Sequence, residues 1–236
     1  MTVLAPVPSP VLELRELRHC WPGAAHCALS VDALRLQPGQ RLLLRGSSGS
    51  GKSTLLSIAA GVLMPSSGHV LLQGQDWRGL APGQRDALRA RSIGYIFQQF
   101  NLLPYLSALD NVLLPCRFSS ERAQAAGDPA QEARRLLAAL DLATPLWTRP
   151  ARQLSVGQQQ RVAAARALIG SPALVMADEP TSSLDEARRD AFMQLLLAQC
   201  EAAGSSLLFV THDERLSRHF DQMLVLDAPG AKEAGA

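Results

Sequence analysis

Lysine is nearly missing from this chain: of 23 basic residues among 236, 21 are arginine and only Lys52 and Lys232 are lysine. Net charge is +2 with both signs scattered, so there is no basic stripe to bind nucleic acid and no acidic arm. Long apolar runs are missing too. Nowhere do eighteen apolar residues follow one another, and the start is broken by Pro6, Pro8 and Pro10 with no basic segment ahead of it. Neither a direct membrane span nor an export signal is expected. Cysteine is sparse, and Cys20, Cys27, Cys116 and Cys200 form no C-x-x-C pair. Without an export signal a structural disulfide is not expected, and the expected compartment is cytoplasmic. A chain of this length holds one sizeable core with at most a subdomain beside it.

The rare lysine stands where a motif needs one. Gly46-Ser47-Ser48-Gly49-Ser50-Gly51-Lys52-Ser53-Thr54 fits G-x-x-x-x-G-K-[ST]. It lies between Leu42-Leu43-Leu44, which reads as a buried strand, and residues 53–60, which read as a helix closed by Gly61. That is the context a phosphate-binding loop requires. Glycines let successive N–H groups turn inward, and the helix adds its positive end to the same pocket. Residues 46–54 are therefore expected to bind a nucleoside triphosphate, with Lys52 reaching the β- and γ-phosphates and the Ser53 hydroxyl on Mg²⁺. A guanine-reading N-K-x-D motif is excluded, because neither lysine sits in one.

Ahead of the loop, residues 11–17 and, more weakly, 33–36 alternate apolar with charged, which predicts an antiparallel edge layer. Residues 70–72 add a strand to it after the turn Pro65-Ser66-Ser67-Gly68. Trp21 lies in a turn between the first two strands, either stacked on a nucleotide base or simply half-buried at the surface. Beyond the loop, three apolar runs end abruptly in polar residues: 93–97 in Gln98-Gln99, 173–177 in Asp178-Glu179, and 207–210 in Thr211-His212-Asp213. Such runs, separated by helical stretches, read as strands of a parallel sheet covered on both faces. Ligands of these sheets bind beyond the carboxyl ends of the strands. Gln98, Asp178, Glu179 and His212 are thus expected to converge on the phosphate loop, although any one of them alone would pass for a cap or turn former.

Residues 101–152 are mostly helical and broken by five prolines. Residues 108–114 predict one helix. Asp128-Pro129-Ala130-Gln131 predicts another, with Asp128 as N-cap and Gln131 closing a capping box, and with Leu136, Leu137 and Leu140 on its buried face. Leu154-Ser155-Val156-Gly157-Gln158 then leads into a helix over 159–169 with Arg161 and Arg166 on its polar side. Ser155 is a natural N-cap, so this is a second anion-seeking helix start.

Together these stretches resemble the ATP-binding cassette family over roughly residues 11–227. Residues 46–54 match its Walker A loop, Leu154 to Gln158 its signature motif and residues 174–179 its Walker B strand. Gln98 lies where the family has its Q-loop glutamine, Ser183-Leu184-Asp185 resembles its D-loop, and His212 its switch histidine. Trp21 falls at its adenine-stacking aromatic position. The resemblance implies an α/β fold: a P-loop NTPase (RecA-like) core with an N-terminal antiparallel β layer and an inserted α-helical subdomain. It implies one domain over 11–227, with the core at 11–98 and 155–227, the helical subdomain at about 99–154, and flexible tails at 1–10 and 228–236.

The same resemblance implies a homodimer that sandwiches two ATP molecules. Leu154, Ser155, Val156, Gly157 and Gln158 of one copy would bind ATP held by the other, and Asp185 would lie at the junction. Ser53, Gln98 and, through water, Asp178 would hold Mg²⁺, Glu179 would polarise the attacking water, and His212 would contact the γ-phosphate. Val156 departs from the family, which usually has glycine there. A β-branched residue disfavours positive φ, so either the backbone is ordinary at Val156 or this half-site is weakened. Phe97-Gln98-Gln99-Phe100-Asn101-Leu102-Leu103-Pro104 is similar to the group of lipoprotein-releasing, macrolide-exporting and glycolipid-exporting ATPases. That implies a separate transmembrane permease subunit docking near Gln99 to Pro104, and a peripheral position on the inner face of the cell membrane. The alternative is a regulatory ATPase of a membrane-associated complex, of the cell-division type, in which nothing is transported.

Overall fold

The computed structural model describes residues 9–23, 26–182 and 184–226. Most of both tails expected to be flexible, and Ser183 of the expected D-loop, lie outside the described residues. Two sheets share the molecule. Strands β1 (Leu12–His19), β2 (Leu29–Leu36), β4 (Ser67–Leu72) and β5 (Gln75–Asp76) form an antiparallel sheet in the order β2-β1-β4-β5. Leu14 of β1 stands opposite Leu34 of β2 on one side and Val70 of β4 on the other. Strands β3 (Arg41–Gly46), β6 (Ile93–Ile96), β7 (Leu174–Asp178), β8 (Ser206–Val210) and β9 (Gln222–Leu226) form a parallel sheet in the order β6-β7-β8-β3-β9.

The period of two explains why the central strands read as unbroken apolar runs. Leu42 and Leu44 of β3, Leu174 and Met176 of β7, and Leu208 and Val210 of β8 pack into one cluster, shared with Leu12, Leu14, Leu36 and Val70 of the antiparallel layer. Leu43, Val175, Ala177, Leu207 and Phe209 point the other way, into a second cluster built with helices. Both faces of the parallel sheet are therefore covered, and no position along these strands can be polar without a partner.

The helices are α1 (Lys52–Ala59), α2 (Pro82–Ser92), α3 (Ala108–Phe118), α4 (Ser120–Ala125), α5 (Pro129–Ala139), α6 (Val156–Leu168) and α7 (Glu186–Ala203). Asp128 caps α5 by accepting from the Ala130 and Gln131 N–H groups. The reciprocal box expected there with Gln131 is formed instead at α6, between Ser155 and Gln158. Helix α3 runs past its expected end and through Pro115. Proline forfeits one helical hydrogen bond, but Ala108 and Val112 are fully buried, and the Asn111 amide donates to the Leu103 and Ser107 carbonyls, which anchors the helix start. Among the described residues no helix is long and apolar enough to cross a membrane.

One expectation is corrected. Cys20 and Cys27 are joined by a disulfide. The reason is the pairing of His19 with Leu29, which brings the two ends of the β1–β2 connection together and leaves the cysteines just beyond the last rung.

Candidate functional site

The strand order places four carboxyl ends side by side. Strand β6 pairs with β7, β7 with β8, and β8 with β3, so Gln98, the Asp178-Glu179 pair, His212 and the phosphate loop succeed one another along one rim of the sheet. The loop leaves no room for a side chain at Gly46 or Gly51. A Cβ on Gly46 would fall 2.3 Å from Ser50 Oγ, and one on Gly51, whose φ is +93°, would fall 2.7 Å from the Ala28 carbonyl oxygen. Ser50 is buried and its hydroxyl has no hydrogen-bond partner. Lys52 is buried as well, its Nζ donating to the Gly46 and Ser47 carbonyls at 2.9 Å each. An orphaned hydroxyl, an inward ammonium and a bare backbone concavity at the start of α1 are the features of an anion cradle. They fit a triphosphate.

At the end of β7, Asp178 is half-buried. Burial first, and then the neighbouring Glu179 carboxylate, push its carboxyl above the usual range, while Lys52 pulls the other way. Asp178 thus lies within reach of both charges, and an acid pair of this kind fits a divalent cation. Glu179 takes a φ of +45°, a left-handed conformation that costs a residue other than glycine about 1–3 kcal/mol. Its N–H donates to the Val210 carbonyl of β8 at 3.1 Å, and its Oε1 lies 2.5 Å from His212 Nε2. Glu179 and His212 thus meet across the β7–β8 boundary.

Gln98 is exposed in a turn two residues past the end of β6. The far side of that turn is clamped through its backbone. Phe100 and Asn101 have φ of +60° and +46°, and their carbonyls accept from Arg166 at 2.6 and 2.7 Å. Burial lowers the Arg166 guanidinium to about 10. Arg166, on the polar side of α6 as expected, is a clamp between that helix and the turn of Gln98. Gln160, also on α6 and buried, donates to the Pro180 carbonyl at 2.8 Å and ties down the segment after Glu179. Neither contact has a local sequence signal, because both partners are backbone carbonyls distant in the chain.

Trp21 is half-exposed and edge-on to buried His19, with ring centroids 4.7 Å apart and an interplanar angle of 89°. The connection that carries it ends at Ala28, whose carbonyl lies against Gly51, so this connection abuts the phosphate loop. Ser155 caps α6, accepting from the Gln158 N–H while Gln158 Oε1 accepts from the Ser155 N–H. Leu154 is buried, whereas Ser155 and Val156 are exposed. Val156 is the first helical residue and is not among the positive-φ positions, so its backbone is ordinary. Asp185 caps α7 by accepting from the Arg188 N–H at 2.9 Å and is exposed. The rim thus gathers residues 46–54, Asp178, Glu179 and His212, while the signature residues present their polar side to solvent.

Residues 29–182 match the model of the ABC transporter family. The lipoprotein-releasing system ATP-binding protein LolD of Novosphingobium aromaticivorans is 42% identical over 224 residues, which cover 92% of this chain and 96% of that protein. The macrolide export ATP-binding/permease protein MacB of Syntrophobacter fumaroxidans is 42% identical over 186 residues, 79% of this chain but 26% of that longer protein. The dimeric structure of MJ0796, a bacterial ABC transporter cassette, superposes with a TM-score of 0.80 at 33% identity, covering 92% of this chain and 94% of that one. The same cassette is known in a post-hydrolysis state bound to ADP and Pi, with a TM-score of 0.79 at 34% identity. The chain belongs to the ABC transporter family, as one of its ATP-binding, ATP-hydrolysing cassettes.

Proposed function

We propose that two copies of this chain pair head to tail around two ATP molecules and drive a separate membrane-spanning subunit in export or in extraction of a lipoprotein or lipid. In this reading the loop N–H groups and Lys52 hold the phosphates, and Trp21 stacks on the adenine. Ser53, Gln98 and, through water, Asp178 would hold Mg²⁺, which when bound neutralises phosphate charge. Glu179 orients and deprotonates the attacking water, and His212 holds the γ-phosphate from the adjacent strand end. Ser155 and the N–H groups at the start of α6 complete the partner copy's site, with Asp185 at the junction. The exposed, unencumbered start of α6 supports this division of one site between two chains.

The observation that carries the transporter reading is an apolar cleft of about 580 Å³ beside Gln98. Val62, Phe97 and Phe118 line it and are exposed, Phe118 by 79% and Val62 by 68%. Exposed apolar side chains gathered around one concavity mark an interaction site. The cleft sits next to the turn expected to meet the permease, and it joins the end of β6 to α3. The names of the relatives supply the transport class, and with a membrane partner the chain lies on the inner face of the membrane.

Glu179→Gln should cut turnover by about 10²–10⁴-fold, the usual contribution of a positioned general base, while ATP binding persists. Purified from native membranes with ATP and Mg²⁺, this variant should carry one stoichiometric membrane-spanning protein, which adding Phe118→Asp removes without loss of ATP binding. Recovery of soluble partners only would refute the transporter reading and favour a regulatory ATPase.

A further inference from the structure

The segment that carries His212 is held by a ring of charges that the proposed reaction does not use. Two arginines stand side by side in the first turn of α7 and behave oppositely: the Arg188 side chain is 79% exposed, whereas that of Arg189 is 9% exposed. Arg189 Nη1 lies 2.5 Å from Asp213 Oδ2, and Asp213 is the residue after His212. Arg215 Nη2 reaches the same oxygen at 3.0 Å, and its Nη1 reaches Glu186 Oε1 at 2.8 Å. Glu186 Oε1 closes the ring with Arg189 Nη2 at 3.6 Å. Asp190 also faces Arg189, at 3.4 Å. The ring thus links the first turn of α7, directly after Asp185, to residues 213–215.

Arg189 and Asp213 line the same cleft, of about 310 Å³, as Glu179, Thr181, Leu184 and His212. There the His212 imidazole meets Glu179. The Thr211 N–H donates to the Leu44 carbonyl at 3.4 Å and the Asp213 N–H to Thr211 Oγ1 at 3.1 Å, so the backbone on both sides of His212 is tied down. We infer that Arg189 is a positioning residue: by holding Asp213 it fixes His212 relative to Glu179, and it couples that placement to the start of α7 and hence to Asp185. This inference rests on the proposed role of His212. Without Arg189, Asp213 keeps only Arg215, a half-exposed side chain that grips both of its oxygens at 3.0 Å, so Asp213 would follow Arg215 toward solvent, carrying His212 with it.

The test is steady-state ATPase kinetics on the full chain, with melting followed alongside. A displacement of about 1 Å in a positioned group can cost on the order of 10²-fold. Arg189→Met is expected to lower kcat by about ten- to a hundred-fold with KM for ATP within about twofold. Arg189→Lys should recover a substantial part of the loss, and Arg189→Met with Asp213→Asn should be no slower than Arg189→Met alone. Should Arg189→Met fail to fold, Asp213→Asn, which keeps the shape, must show the same kcat loss. A kcat for Arg189→Met within threefold of wild type would overturn the inference, as would strictly additive losses, or a lysine variant no better than methionine. His212→Ala separates the two levels. If it is inactive while Arg189→Met is active, the inference alone falls; if it is active, the role of His212 falls and the inference with it.

Discussion

Replacing Gly157 with alanine should move stability and turnover in opposite directions. Gly157 is the second residue of α6, its φ is not among the positive ones, and a Cβ built there meets nothing within 4 Å. In the free cassette the substitution removes only the entropic disadvantage of glycine, about 0.5–1 kcal/mol in a helix. The first turn should show the lower end, about 0.5 kcal/mol, and at about 2–4 °C per kcal/mol for a chain of this size melting rises by about 1–2 °C. In the proposed pair the same methyl would stand where the backbone at residue 157 approaches the phosphate held by the other copy. There the added carbon would push the phosphate away from the helix N–H groups, whose hydrogen bonds need a distance of about 2.7–3.2 Å. Losing one hydrogen bond to a charged group costs about 1.5–3 kcal/mol, or roughly ten- to a hundred-fold in rate. Circular-dichroism melting without nucleotide and a coupled ATPase assay at saturating ATP measure the two halves. A kcat within twofold of wild type would refute the approach of phosphate to Gly157, and a fall in melting temperature would refute the open space around it.

The neighbouring substitution Val156→Gly should leave turnover within a few fold, because Val156 is an exposed residue with ordinary helical backbone; a large gain in kcat would contradict this. Gly61→Ala should be severely destabilising, since φ is +66° and the added carbon would lie 2.6 Å from the buried Trp77 ring. A left-handed residue costs about 1–2 kcal/mol and overpacking about 1–3 kcal/mol, so melting should fall by about 5 °C or more. Gly127→Ala, with φ +67° and open space around it, should show only the first of these costs. Acid should weaken the fold through Asp213 and Glu13, held below the usual range chiefly by Arg215 and by Arg15 respectively. Because the folded values are the lower ones, their stabilisation is present above the unfolded pKa of about 3.9–4.3 and is lost as pH falls through the folded values. Urea melts from pH 6 to 3 should show a smaller decline for Asp213→Asn than for wild type.

The chemistry legible without coordinates was whatever is written in consecutive residues. The phosphate loop, the three strand ends and the N-caps of α5 and α6 all use neighbours within a few positions, and the strands β3, β7 and β8 are apolar throughout because both faces are covered. Elements at the margins gave no such signal. Among the described residues strand β9 is bonded only to β3, with Met223 and Val225 exposed, and α2 buries only Leu88 and Ser92, so neither shows a full apolar stripe.

Arginine was the hardest residue to place. With 21 arginines in the chain, a solvated face is the natural expectation for each, because the charge tolerates burial only with partners. Those partners are distant carbonyls and carboxylates. Arg122, fully buried, donates to the Ile93 and Ala167 carbonyls; Arg166 takes those of Phe100 and Asn101; Arg189 takes Asp213. Each guanidinium can satisfy two or more acceptors at once, which a lysine ammonium on a flexible stem does with less geometric definition. All three join a helix to a strand end or to the turn just beyond one. Arg166 and Arg189 thus act as internal crosslinks beside the turn of Gln98 and the segment of His212, a task that suits the planar guanidinium better than an ammonium.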